Sequence, residues 1–194
     1  MKMDIREYLD NLHFEFPEKD GEARLKELIL YISMKCESFE FYGKTKLNKI
    51  LYLSDFKSYE NFGQPITGVA YQRLPAGPAP KKMLPILESM KKSGEITVRP
   101  KSMYDYTQER IISLRSPDLS VLSARDIAVV DEAIERVKGD TAEEVSRRTH
   151  GVAWEVARNQ ELIPYEAALL ADEGITADDI IRSRQLKREL AWDD

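Results

Sequence analysis

Between Gly63 and Pro80 the chain places three glycines and four prolines within eighteen residues: Gly63, Pro65, Gly68, Pro75, Gly77, Pro78 and Pro80. No ordinary helix crosses such a stretch, because each proline removes a backbone donor and each glycine loses extra entropy on ordering. Helices must therefore be confined to either side of it. Asn61 to Pro65 reads as a turn. Ile66 to Leu74 alternates well enough for a short strand, which Pro75, Gly77, Pro78 and Pro80 bring to an end.

Apolar residues recur at helical spacing on both sides. Leu25, Leu28, Ile29, Ile32 and Cys36 mark one helix, with Asp20 placed to cap its start. A second runs to about Tyr59 through Leu47, Ile50, Leu51 and Ser54, with Thr45 as its expected cap, and Lys46, Lys49 and Lys57 are expected around its solvated side. Past the break, Met83, Ile86, Leu87 and Met90 give a third helix, whose Pro85 is tolerated only near the start. Glu95 to Arg99 and Arg110 to Arg115 read as two short strands joined by a long polar loop around Tyr104 and Tyr106. From Ser123 onward the pattern is helical again, and Thr141-Ala-Glu-Glu144 forms a capping box. Short helices are also expected near Ile5, Tyr8 and Leu9 and from Thr176 to about Trp192. The whole reads as an α+β chain, predominantly helical, with a small β-sheet or hairpin and a winged-helix-like core as one arrangement of it.

At 194 residues the chain suffices for one sizeable domain, with or without a helical extension. Its one cysteine, Cys36, sits in a helical pattern, so a buried reduced thiol is expected, which fits a reducing cytoplasm. No apolar run approaches a membrane span, and the first residues lack the apolar core of a signal peptide. Charge is unevenly distributed: residues 1–43 carry a net −4, residues 44–115 a net +7 and residues 116–194 a net −8. A basic middle between acidic flanks suits a protein partner or the chain's own acidic end. The sequence pI near 5.3 argues against general nucleic-acid binding.

The sequence offers little for catalysis. Gly43-Lys44-Thr45 matches the end of a phosphate-binding loop, but the glycine needed five positions upstream is replaced by Ser38. His13 and His150 are far apart, and no Cys/His cluster provides a zinc site. Asp178-Asp179 and Asp193-Asp194 read as solvated faces, and His150 as a structural imidazole beside Gly151. No catalytic residue, cofactor or metal is expected, and the chain reads as a binding protein.

Four segments in order are similar to the Panacea domain, the SocA-like antitoxin family of bacteria and phages. Lys46-Leu47-Asn48-Lys49-Ile50-Leu51-Tyr52 resembles the family's opening Lys-Leu-x-Lys-Leu-Leu-Tyr. Gly68 to Pro78, with Tyr71, Arg73 and Gly77-Pro78, resembles its aromatic strand ending in Gly-Pro. Thr149-His150 with Trp154 resembles a Ser-His…Trp element, with Thr in place of Ser, and Ile163-Pro164-Tyr165-Glu166 matches a downstream piece. The likeness covers roughly residues 25 to 172. Departures stand at Ser54-Asp55-Phe56 and at Leu74-Pro75-Ala76, which lengthens the Gly-Pro junction.

The resemblance implies a cytoplasmic antitoxin, encoded beside a small growth-inhibiting protein toxin, that neutralises this cognate toxin by direct contact. It also implies an adaptor handing the toxin to a bacterial protease or unfoldase as one alternative; the basic middle segment motivates another, a winged-helix-like DNA-binding regulator. The corresponding division is an N-terminal segment over 1–20, a Panacea-like domain over 21–172 and a helical extension over 173–194. Tyr71, Arg73, Tyr104 and Tyr106 are the expected partner-binding residues, since aromatic and Arg anchors dominate protein interfaces.

Overall fold

The computed structural model describes residues 12–16, 20–103, 106–149 and 158–169. The expected first helix, Tyr104, His150, Trp154 and the final helix from Thr176 lie outside them. Among the described residues five α-helices and two small antiparallel sheets form a predominantly helical α+β fold. No described helix is long and apolar enough to cross a membrane.

Helix α1, Gly21–Lys35, buries Leu25, Leu28, Ile29 and Ile32, and also Leu30, Tyr31 and Ser33, so it lies deep in the core. Asp20 holds the N-cap position as expected, but its side chain makes no capping hydrogen bond. Gly21 is required by close approach: a Cβ there would lie 2.4 Å from the carbonyl oxygen of Thr67. Helix α2, Lys44–Phe62, has Gly43 rather than Thr45 at its N-cap, because the extended Gly43 already offers its carbonyl to Leu47 N–H at 3.0 Å. It ends at Gly63, whose left-handed φ of 71° aims its N–H at the carbonyl of Tyr59.

The glycine- and proline-rich break is mostly irregular. It holds two two-residue strands, Tyr71–Gln72 (β1) and Ala79–Pro80 (β2), with β1 paired antiparallel to β2 on one side and to Leu162–Ile163 (β5) on the other. The longer strand expected over Ile66 to Leu74 does not form, because its first residues bond elsewhere. Thr67 N–H donates to Asp55 Oδ1 at 2.7 Å, Gly68 adopts a φ of 68°, and its carbonyl accepts from Phe16 N–H at 2.8 Å.

Helix α3, Met83–Lys92, carries Pro85 in its first turn and closes at Ser93-Gly94. It leads directly into a hairpin of β3, Ile96–Ser102, and β4, Thr107–Ser113. The hairpin is longer and its connection shorter than the sequence implies: pairing continues to Ser102↔Thr107, and Met103 N–H reaches Tyr106 O at 2.9 Å. The helix-then-hairpin order of a winged helix is present here, although β3 and β4 form a sheet of their own. Helices α4, Ala124–Val137, and α5, Ala142–Arg148, both start with capping boxes, Ser123 with Asp126 and Thr141 with Glu144.

The main core draws on α1, α2, α3, α4 and the hairpin. A second cluster of Phe56, Tyr71, Ile163 and Tyr165 lies between α2 and the three-stranded sheet, with Phe16, Tyr52 and Tyr59 packed on it.

Candidate partner-binding surface

Lys46 and Lys49, expected on a solvated face, are almost completely buried, at 0% and 1% exposure. Each has a backbone target that explains this. Lys46 Nζ donates to the carbonyls of Val137 at 3.0 Å, Lys138 at 3.4 Å and Asp140. It thereby satisfies carbonyls that the end of α4 leaves open and places a cation at the negative end of that helix. Burial pulls its pKa below the usual lysine range, opposed by the nearby charge of Asp140.

Lys49 Nζ donates to Pro78 O at 3.0 Å. Burial drops its pKa to about 7. Gly77 beside it has a φ of 95°, and a Cβ there would sit 2.5 Å from Lys49 Nζ and 3.2 Å from Thr149 Oγ1. Thr149 is itself buried, its hydroxyl donating to the carbonyls of Val145 and Ser146. Lys49, Gly77-Pro78 and Thr149, from three separate sequence segments, thus meet at one interior point.

Asp55 is fully buried and accepts from Thr67 N–H, from the Thr67 hydroxyl and from Tyr71 OH at 2.8 Å. Burial pushes its pKa up while these hydrogen bonds oppose the rise. Burial, and then the charge of Asp55, drive the Tyr71 phenol well above its usual value. Glu166 is visible in the sequence only as the end of the Ile163-Pro164-Tyr165-Glu166 segment. It accepts from Tyr59 OH at 2.8 Å and from His13 N–H at 2.9 Å, and its Oε1 lies 2.6 Å from His13 Nδ1. The motif holding Glu166 is legible, but its partner stands 153 positions away and carries no local signal.

The four expected contact residues are not brought together. Tyr71 is fully buried against Asp55, Phe56 and Tyr165, and in this conformation it presents no surface to a partner. Its strand is the central one of three, so the aromatic ring is enclosed rather than presented. Arg73 is half-buried, its backbone bonded to Glu161 and Gln160. Tyr106 is 49% exposed at the hairpin tip, and Tyr104 lies outside the described residues.

Among the described residues no group of three or more His, Cys, Asp or Glu side chains could hold a metal ion. Cys36 is buried with its thiol pushed up to about 12 by desolvation, which suppresses the reactive thiolate. Lys44, from the phosphate-loop lookalike, pairs with Glu109. What the described surface does offer is exposed apolar side chains, Leu84, Leu114 and Tyr106 among them, alongside unpaired lysines on α3.

Comparison with known families matches residues 47–155 to the domain described as Antitoxin SocA-like, Panacea domain. No curated protein and no solved structure matches the chain. The matched region takes in Lys49, Asp55, Tyr71, Gly77-Pro78 and Thr149, the residues that knit the break to α2 and α5. With more than half of its length matched in this way, the chain belongs to the SocA-like antitoxin family of Panacea-domain proteins.

Proposed function

We propose that the protein neutralises a cognate toxin by binding it directly, without catalysis of its own, with residues 21–172 as the antitoxin domain. Family membership carries this reading, and the fate of three motif residues, and of Asp55 beyond the motif, supports it. Lys46, Lys49, Asp55 and Tyr71 would be prime suspects for chemistry if they faced a cleft. Each is instead buried and bonded to backbone or to a neighbouring side chain. These residues build a scaffold, which leaves the outer surface to select the partner. A tight complex would bury roughly 1,000 Å² or more with a few anchors at its centre.

Co-expression with the product of the adjacent gene tests the proposal. Growth should be restored and the two proteins should co-purify. Absence of both rescue and complex would refute it.

A further inference from the structure

The outer side of α3 is set apart from the rest of the molecule by its charge. Residues 81–101 carry six basic side chains against two acidic ones, in a chain whose net charge is −5. One of the two acids, Glu95, is already tied to Arg115 at 2.6 Å. Lys81 and Lys82 at the start of the helix and Lys91 and Lys92 at its end are all exposed. None of the four makes an ion pair among the described residues. Glu88 is the one acid on the helix itself.

Among these lysines stands Leu84, 65% exposed, which is the greatest exposure among the large apolar side chains described. Pro85 beside it is exposed as well. Met83, Ile86, Leu87 and Met90 anchor the opposite side of the helix in the core, so the lysine-bearing face is held rigidly outward.

We infer that this face of α3 is the docking surface for an acidic protein surface, that of the cognate toxin, with Leu84 as its apolar contact. The inference rests on the antitoxin reading above. Charge complementarity selects an acidic partner and speeds encounter with it. Leu84 distinguishes a protein from a nucleic acid: a phosphate backbone gains nothing from an exposed leucine, whereas an interface places apolar groups inside a charged rim. The nearby cleft of about 470 Å³ is less selective, because Glu15 and Glu22 line it together with Lys81 and Lys82.

The test uses the full chain and the purified product of the adjacent gene, with association followed by surface plasmon resonance at low and moderate salt. Wild-type association should slow about tenfold as salt rises. Reversing all four lysines (Lys81→Glu, Lys82→Glu, Lys91→Glu and Lys92→Glu) should weaken binding about 100-fold or more, and Leu84→Asp alone about tenfold. Lys138→Glu, on another surface, should leave binding unchanged. Circular dichroism checks folding, and the four Lys→Gln changes replace the reversal if it does not fold. Wild-type binding that these variants leave intact would overturn the inference while sparing the antitoxin reading. No binding by wild type would overturn both. Retention of duplex DNA by wild type, lost on charge reversal while toxin binding persists, would assign the face to nucleic acid and overturn the inference.

Discussion

Lys49 links the family motif to a measurable pH dependence. Its folded-state pKa of about 7 lies below the ordinary lysine value of about 10.4. Between those values the unfolded chain binds the extra proton and the folded chain does not, so stability rises with pH across that window. Cys36 acts in the opposite sense: its thiol, raised to about 12, stays protonated in the fold, so stability falls once pH passes the ordinary thiol value of about 8.5. The Lys49 contribution is therefore best read from about pH 7 to 8.5, where it should amount to about 1–2 kcal/mol. Urea midpoints measured across that range should climb in the wild type, and Lys49→Met should flatten the climb. Gly77→Ala, at a φ of 95° and against the Lys49 amine, should cost about 1–3 kcal/mol in thermal or chemical unfolding. Asp55→Ala strands the Thr67 N–H and the Tyr71 hydroxyl in the interior and should cost about 2–4 kcal/mol, read in the same experiment.

The helices were legible in the sequence, since an apolar stripe every three to four residues and a capping side chain are local signals. The capping box at Thr141 stands where the sequence places it, and Ser123, where the helical pattern resumes, proves to open α4 with a second box through Asp126. The start of α4 does more than cap: Asp126 also takes Arg24 Nη2 at 2.7 Å, joining α4 to α1. Ser123→Ala should therefore cost about 1 kcal/mol, the loss of one cap, whereas Asp126→Ala removes both the cap and a mostly buried ion pair. Its cost should be about 2–4 kcal/mol, so the two unfolding midpoints should separate clearly. The strand expected over Ile66 to Leu74 was not legible, because alternation cannot report that Asp55 and Phe16 claim the polar groups of Thr67 and Gly68. Nor could spacing reveal that Lys46 and Lys49 point inward, since a lysine on a helix is ordinarily solvated and its buried targets, Val137 and Pro78, come later in the chain.

At the scale of the whole molecule, Lys46, Lys49, Tyr71 and Thr149 from the family-like segments lie inside, whereas the lysines at the two ends of α3 lie outside. The family could be read from four ordered segments, whereas the contact surface could not, because exposure depends on the fold. Tyr71 illustrates this: it is an aromatic residue within the region matched to the family, yet it is fully enclosed. A scaffold held by buried lysines and an aspartate can keep its fold while its exterior changes, which is what the proposed binding of a particular toxin requires. Calorimetric titration of the purified chain with the purified product of the adjacent gene tests the direct-binding claim most plainly. Saturable heat with a Kd of about 1 μM or tighter and a negative heat-capacity change is expected. Rescue of growth in cells with no binding in the calorimeter would contradict it.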